Sequence, residues 1–233
     1  MIVGIHQPHF LPWLGYFNKA WQSQIFVWLN TVQYRKNYYQ NRTKIKNVND
    51  LPLWLTLPVH AHLGTNIDTV YIADARWRER IQKTIEHCYH KTPFFNGNWP
   101  ILALAIQESL DNLDQANFKN FQALLEILGA KHVQIVRASD IAIQSCDPTG
   151  RLVEICQYLG ADAYIAGQGG RNYLDVEQFD RVGIKVIWQA FNADEVVYTQ
   201  LGQSFLGGLS IIDCLFNAGP EKTREILQTV WKP

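Results

Sequence analysis

Five short apolar segments alternate with helical patterns, and this alternation constrains the fold more than any other feature of the chain. The segments are Ile2–His6, Ile25–Leu29, Val133–Arg137, Ala163–Ala166 and Ile184–Trp188. Continuous apolar runs of this kind are typical of parallel strands that are covered on both faces. Helices are predicted between them, at Pro12–Gln22, Trp77–Tyr89, Trp99–Ser109, Phe118–Leu128 and Thr149–Leu159. The pattern predicts an α/β fold, a Rossmann-like parallel sheet of about five strands with helices on both faces.

The 233 residues are predicted to form a single α/β domain over 1–233, because domains commonly contain about 150 residues. Residues 41–73 depart from the pattern: two β-rich runs flank the turn-rich Asn47–Pro52, which predicts an inserted β-hairpin, and Thr69–Ile72 is predicted to add a strand. The helix-rich residues 75–130 are predicted to form a helical cap. Asp147, Pro148 and Gly160 have the residue types of an N-cap, a first helical position and a C-terminal stop.

Charge is distributed unevenly along a chain that is neutral overall. Residues 1–49 contain no acidic residue and six basic ones, so they carry +6, and the rest carries 15 basic and 21 acidic residues, or −6. The basic residues are Lys19, Arg35, Lys36, Arg42, Lys44 and Lys46. Two interpretations stay open: a solvated basic face, or a site that attracts phosphates, carboxylates or an acidic partner. The neutral total argues against specific nucleic-acid binding.

Several classes of protein are disfavoured by what the sequence lacks. The four cysteines form no C-x-x-C pair, which argues against a zinc ribbon or a disulfide framework. No signal-peptide pattern and no apolar stretch of about 18 residues is present, so we expect a cytoplasmic protein without a membrane span. No regular metal-ligand set occurs and no metal is predicted. No recognised motif requires a cofactor, and the identity of any cofactor stays open.

Two histidines follow the first predicted strand and precede a helix that starts near Pro12. His6 and His9 therefore stand at the carboxyl end of a strand, where ligands bind in open α/β sheets. Their H-x-x-H spacing resembles the HIGH motif of nucleotidylyltransferases, although Pro8 occupies the position that needs a small residue. His6 is either a structural donor to backbone or a hydrogen-bonding, acid–base group of an active site.

Three further segments carry candidate binding residues. Residues 33–44 combine four basic residues with three tyrosines, and Arg42 is the strongest candidate for contact with an anion. Residues 167–171 run from a strand into Gly-x-Gly-Gly-Arg, which predicts either an anion-binding turn ending in Arg171 or a tight structural turn. Asp213 lies in an otherwise apolar helix, where it is a structural cap, a partner for a buried arginine, or a catalytic acid.

The motifs together resemble the WbqC-like protein family. The resembling pieces are IHQPHFLPWLGYFNKA (5–20), FVWLNTVQYRKNYYQNRTKIK (26–46), LWLTLPV (53–59), LGADAYIAGQGGRNYL (159–174) and LSIIDCLFNAGPE (209–221), in order along nearly the whole chain. Positions that match the family pattern are His6, Gln7, Pro12, Trp13, Gly15, Tyr16, Gln33, Asn41, Arg42, Gly167, Gly170, Arg171, Tyr173 and Asp213. Asn30 stands where an acid is typical, and His9 stands where Asn is common.

The resemblance implies an association with surface-polysaccharide, nucleotide-sugar or secondary-metabolite biosynthesis. We therefore expect a group-transfer enzyme that binds a phosphate-bearing small molecule. The expected catalytic residues are His6 and Asp213. The expected substrate-binding residues are Gln7, His9, Trp13, Tyr16, Gln33, Asn41, Arg42, Gly167, Gly170, Arg171 and Tyr173. Two alternatives stay open: amide-forming acyl or aminoacyl transfer from the thioester of an acidic carrier protein, and a non-catalytic binding or scaffold protein.

Overall fold

A five-stranded parallel sheet forms the centre of the computed structural model, which describes residues 1–229 apart from the side chain of Asp194. The strands of the described residues are, in chain order, β1 (Ile2–His6), β2 (Ile25–Trp28), β3 (Arg42–Lys46), β4 (Pro52–Thr56), β5 (Val59–His60), β6 (Tyr71–Ile72), β7 (Gln134–Arg137), β8 (Ala163–Ala166) and β9 (Lys185–Trp188). The parallel sheet has the order β7-β2-β1-β8-β9. This confirms the predicted Rossmann-like fold, and all five of its strands lie within the predicted segments.

Helices cover both faces of this sheet. The α-helices are α1 (Leu14–Trp21), α2 (Trp77–Tyr89), α3 (Phe95–Gln107), α4 (Leu113–Ile127), α5 (Pro148–Tyr158), α6 (Val176–Asp180) and α7 (Ile211–Gln228). Successive side chains of a strand point to opposite faces. Accordingly, Phe26 and Trp28 of β2 pack in the core that includes α1, α4 and α7. Ile25 and Val27 pack in the second core, with α5 and α6.

The antiparallel part of the fold lies between β2 and α2. Strands β3 and β4 form the predicted hairpin, with Arg42 opposite Thr56 and Lys46 opposite Pro52. The Asn47 side-chain oxygen accepts hydrogen bonds from the backbone N–H groups of Asn49 and Leu51, which closes the turn. A second two-stranded sheet pairs β5 with β6. The predicted strand at Thr69–Ile72 is shortened to β6 because residues 67–69 form a short 3₁₀ helix.

Two predicted helices begin earlier than their sequence signals indicate. Helix α3 starts at Phe95 instead of Trp99 and contains Pro100 in its interior. The rings of Phe95 and Trp99 stack on each other, and both meet the ring of Phe216 of α7 edge-on, so tertiary packing offsets the cost of the proline. Helix α4 starts at Leu113 instead of Phe118, because the Asn112 side chain caps it by accepting from Gln115 N–H.

The structure also bears on the relation to membranes. Over the described residues, the helices include none whose length and hydropathy would allow it to cross a bilayer.

Candidate functional site

A crevice opens at the carboxyl edge of the parallel sheet, between β1 and β8. Pairing of β1 with β8 ends at Gly4 and Ile165, whereas pairing of β1 with β2 continues to His6 and Trp28. The chain places β2 and β7 on one side of β1 and places β8 and β9 on the other. Ligands of open α/β sheets bind at such a reversal of strand order, outside the carboxyl ends of the strands.

A cavity of about 560 Å³ occupies this crevice, within the range of sites for small molecules. Its walls come from the end of β1, the start of α1, the segment 34–41 between β2 and β3 (the arm), and the segments that follow β8 and β9. The lining residues are Ile5, His6, Gln7, Trp13, Gly15, Tyr16, Lys19, Leu29, Arg35, Tyr38, Leu152, Tyr164, Gly167, Gln168, Gly169, Gly170, Asn172, Tyr173, Gln189 and Phe191. Among the described residues, no aspartate or glutamate lines the cavity.

His6 is held as a neutral imidazole at the end of β1. Its Nδ1 lies 3.0 Å from the Gln7 carbonyl oxygen, and because a carbonyl can only accept, Nδ1 carries the hydrogen. Tyr16 packs against the ring at 4.4 Å between centroids and donates its hydroxyl to the same carbonyl. Burial, reinforced by the charge of Lys19, lowers the pKa of His6 to about 3. Near neutral pH, Nε2 is therefore the unprotonated nitrogen and can accept a hydrogen bond.

Lys19 of α1 also lines the cavity, although it is only 3% exposed. Its Nζ donates to the Ile5 carbonyl oxygen at 2.7 Å. That carbonyl lies just beyond the last residue of β1 that pairs with β8. Burial lowers the pKa of Lys19 to about 7, so part of the population is uncharged near neutral pH.

Trp13 and Gly15 shape the wall of the cavity at the start of α1. The Trp13 indole folds back over Gly15 so closely that a Cβ at Gly15 would lie 2.2 Å from a carbon of the indole ring. The amide of Gln189, just after β9, donates to the Gly15 carbonyl at 2.7 Å and to Asn18 Oδ1 at 2.9 Å. These contacts fix α1 against the end of β9. Because the Trp13 indole lies directly over Gly15, a side chain at position 15 would occupy the space of the indole.

The arm contributes the exposed cation of the site. Arg35 and Tyr38 line the cavity, and the guanidinium of Arg35 lies 4.8 Å from the centre of the Tyr38 ring. Gln40 holds the arm, because its Oε1 accepts from Arg35 N–H and its Nε2 donates to Gln7 Oε1. The arm is thereby tied directly to the residue that follows His6.

Seven of the predicted site residues line this cavity: His6, Gln7, Trp13, Tyr16, Gly167, Gly170 and Tyr173. Two others lie beside it. His9 packs against His6, at 4.7 Å between ring centroids, and against Tyr39 of the arm. Arg171 donates to Gln168 Oε1 at 2.9 Å, and its guanidinium lies over the Trp188 ring.

Three predicted residues of the arm region lie outside the lining. Arg42 donates to the Asn37 carbonyl, and its guanidinium lies 4.2 Å from the centre of the Trp54 ring. Asn41 is buried and donates to the Leu57 carbonyl, and Gln33 is exposed and forms a β-bridge with Asn66. The cation that the arm presents to the cavity is therefore Arg35, seven residues before Arg42.

Asp213 lies away from the crevice, on α7, where it is fully buried. Its carboxylate accepts hydrogen bonds from the Tyr89 and Tyr198 hydroxyls and from the Gln200 amide, at 2.8 to 2.9 Å. Burial raises the pKa of Asp213, and the three donors oppose that rise. Its hydrogen-bonding partners are two tyrosines and a glutamine, not the arginine considered above. It also lines a second cavity of about 400 Å³ together with Lys46, His87 and Asn217.

Thirteen of the twenty lining residues were not predicted as site residues, and four of these make the contacts on which the chemistry of the cavity depends: Lys19, Arg35, Tyr164 and Gln189. Lys19 had a signal in the sequence, because it is the single charged residue in the short helix that follows the first strand. Gln189 had none, since its role depends on β9 lying next to β8. Within the described part of the chain, no three His, Cys, Asp or Glu side chains gather as metal ligands.

The sequence model of the WbqC-like protein family matches residues 7–225. The chain belongs to the WbqC-like protein family. The match includes every predicted site residue except His6, which directly precedes it. The chain is also 29% identical over 223 residues to the "Uncharacterized protein Rv1507c" of Mycobacterium tuberculosis (strain ATCC 25618 / H37Rv), with 94% of each chain covered. No solved structure matches.

Proposed function

We propose that this WbqC-like protein is a group-transfer enzyme that binds a phosphate-bearing small molecule in the crevice between β1 and β8. The supporting observation is the cavity's charge. Arg35 lines the cavity as a cation, Lys19 lines it as an amine that is partly protonated near neutral pH, and no acidic residue lines it among those described. A cavity with cations and no carboxylate favours anionic ligands. Its position at the reversal of strand order is the usual ligand position in this class of fold.

The lining offers separate partners for the parts of a nucleotide sugar. Arg35 supplies a planar fork of donors suited to a phosphate, and the turn at 167–170 brings backbone close to the same space. Six aromatic side chains offer flat surfaces for a base or a sugar: Trp13, Tyr16, Tyr38, Tyr164, Tyr173 and Phe191. The expected pathway is surface-glycan, nucleotide-sugar or secondary-metabolite biosynthesis, in line with the family.

His6 is proposed to orient the acceptor. Its unprotonated Nε2 accepts a hydrogen bond from the acceptor's hydroxyl or amine and aligns that group for attack on the donor. A pKa of about 3 makes His6 a weak base near neutral pH, where an efficient general base has a pKa close to the pH. We therefore assign His6 a positioning contact with the acceptor in preference to full proton removal.

The test is isothermal titration calorimetry of the wild type with UDP-glucose, UDP and inorganic phosphate. Arg35→Ala should weaken UDP-glucose binding about tenfold or more, the loss expected when a hydrogen bond to a charged group is removed. Lys36→Ala is the matched control: Lys36 is the exposed neighbour of Arg35 but does not line the cavity. Its affinity should stay within about threefold of wild type. Equal losses in both variants, or no saturable binding of any of the three ligands, would contradict the proposal.

The alternative functions are separated by their products. A group-transfer enzyme that uses a nucleotide sugar should release the nucleotide in the presence of an acceptor, whereas an acyltransferase should discharge a loaded carrier protein. A binding protein should retain the ligand and form no product with either donor. Mass spectrometry of the incubated ligands distinguishes the three outcomes.

A further inference from the structure

Lys19 presents an amine without a counter-ion at the point where β1 and β8 separate. The Nζ atom makes one hydrogen bond, to the Ile5 carbonyl, and lies 5.4 Å from the centre of the Tyr164 ring. Within the described part of the chain, no carboxylate forms an ion pair with it. A buried ammonium without a negative partner is costly, and the neutral amine is favoured instead.

The titratable groups that influence this amine are His6 on β1, Cys156 on α5 and Tyr164 on β8. All three are neutral near pH 7. The pKa of His6 is about 3, and burial raises the pKa of the Cys156 thiol to about 12. Burial also raises the pKa of the Tyr164 hydroxyl well above its ordinary value. None of them supplies the charge that would keep Lys19 protonated. Burial accordingly lowers the pKa of Lys19 to about 7, and its lone pair is available near neutral pH.

Lys46 shows what a structural buried lysine looks like in the same chain. It is 4% exposed, almost the same as Lys19. Its Nζ, however, donates to the carbonyls of Leu201 and Ser204 and forms an ion pair with Asp50 at 3.0 Å. The hydrogens of the Lys46 ammonium are thus engaged, whereas Lys19 Nζ has a single acceptor among the described residues, the Ile5 carbonyl. Burial alone therefore does not set Lys19 apart; the lack of partners in a ligand-sized cavity does.

We propose that Lys19 is a nucleophilic amine that captures the carbonyl carbon of a phosphate-bearing aldehyde or ketone as an imine. Nζ adds to the carbonyl carbon to give a carbinolamine, which loses the former carbonyl oxygen as water while the C=N bond forms. The two amine hydrogens leave with that water, and the step requires no oxidant or reductant. The unprotonated Nε2 of His6 is the neighbouring group that accepts a hydrogen bond from the carbinolamine hydroxyl.

This inference rests on the proposed function and narrows its substrate class. Arg35 and the turn at 167–170 hold the phosphate end of the ligand, and Lys19 engages its carbonyl carbon. A sugar phosphate or nucleotide sugar with a free carbonyl group has both features. Ligands without a carbonyl group should bind through the phosphate contacts alone, so phosphate binding and imine formation can be measured separately.

The test uses pyridoxal 5′-phosphate, an aldehyde that carries a phosphate, on the full chain. Protein and probe are incubated in equimolar amounts near pH 7.5, imines are reduced with cyanoborohydride, and the labelled lysines are located by peptide mass spectrometry. Lys19 should be labelled about tenfold faster than exposed Lys36 and buried Lys46. Pyridoxal without the phosphate should label Lys19 about tenfold more slowly, and UDP-glucose should protect it.

The pH profile gives a second readout that a merely structural lysine would not produce. Labelling of Lys19 should rise as the pH passes through about 7 and then level off, whereas that of an ordinary lysine continues to rise toward about pH 10. Labelling of Lys19 no faster than Lys36 or Lys46, or equally fast with pyridoxal, would overturn the inference. Because the wild type carries the test, no variant has to fold.

The two proposals fail in different ways. Saturable UDP-glucose binding that depends on Arg35, without selective labelling of Lys19, rejects the imine and leaves the phosphate site in place. If the wild type shows no saturable binding of UDP-glucose, and pyridoxal labels Lys19 as fast as pyridoxal 5′-phosphate does, both proposals are rejected.

Discussion

Asp213 illustrates how a single buried carboxylate connects distant parts of this chain. Its two oxygens accept from Tyr89 on α2 and from Tyr198 and Gln200 before α7. The Tyr89 hydroxyl in turn accepts from Lys46 N–H, so this hydroxyl already serves as both donor and acceptor. Asp213 therefore joins α2, the hairpin and the segment before α7, and all of these contacts lie outside the crevice.

Asp213→Asn should destabilise the protein by about 1–3 kcal/mol, because an amide nitrogen would replace one acceptor and face a hydroxyl that is arranged to donate. Urea denaturation measures the free energy of unfolding. Asp180→Asn, at an exposed position, is the control and should change it by less than about 0.5 kcal/mol. The folded variant should bind UDP-glucose like the wild type. Normal stability with impaired ligand turnover would instead favour the catalytic interpretation of Asp213.

At the scale of elements, α7 is bent at the sequence Gly219-Pro220. Gly219 has φ 85° and ψ 166°, and Pro220 follows it. The left-handed φ suits glycine, and the missing N–H of Pro220 costs little where the second part of the helix begins. A Cβ at Gly219 would also lie 2.8 Å from the Phe94 ring. The bend thus depends both on the backbone freedom of Gly219 and on the space that Phe94 leaves.

Gly219→Ala should lower the free energy of unfolding by about 1–3 kcal/mol, because a non-glycine residue is strained at this φ and its Cβ meets Phe94. Gly97→Ala is the matched control, since Gly97 lies inside α3 and nothing is within 4 Å of its added Cβ. That change should stabilise the protein by about 0.5–1 kcal/mol through helix propensity. Calorimetric melting of both variants tests the contrast. Equal effects of the two substitutions would show that the bend carries no strain cost for alanine.

At the scale of the whole molecule, the basic N-terminal segment does not become one solvated face. Lys19 and Lys46 are buried, and Arg42 and Lys44 are half-buried with their cations over Trp54. Only Arg35 and Lys36 of the six are exposed, and both lie on the arm beside the cavity. The six basic residues are therefore divided among the interior, the ring of Trp54 and the entrance of the site.

The association rate of UDP-glucose should fall as the salt concentration rises. Exposed charges at the entrance of the cavity attract anions from solution, and salt screens this attraction beyond about 8–10 Å at physiological ionic strength. Stopped-flow measurements should give an association rate several-fold lower at about 0.5 M than at about 0.05 M salt. Lys36→Ala should lower the low-salt rate by about twofold. Lys185→Ala, at the opposite end of β9, is the control. An association rate independent of salt would show that the arm exerts no steering.

The sequence by itself determined the elements whose signals are local. Helix α5 begins at Pro148 with the Asp147 side chain accepting from Gly150 N–H, and Gly160 follows it with φ 67°, as the residue types predict. The five strands were recognisable for the same reason, since a continuous apolar run is a property of neighbouring residues. The first strand and the Gly167–Gly170 turn thereby identified part of the cavity wall.

Only the tertiary structure decided which residues meet. The crevice exists because β8 lies beside β1 and their pairing stops at Gly4, and no local pattern encodes that order. The same pairing leaves Lys19 with Ile5 as its hydrogen-bond acceptor, and the fold of the arm presents Arg35 in place of Arg42. Local hydrogen bonds and hydrophobic periodicity act within a few residues. The crevice instead depends on the pairing of β1 with β8, whose partners lie 161 positions apart and meet only when the sheet assembles.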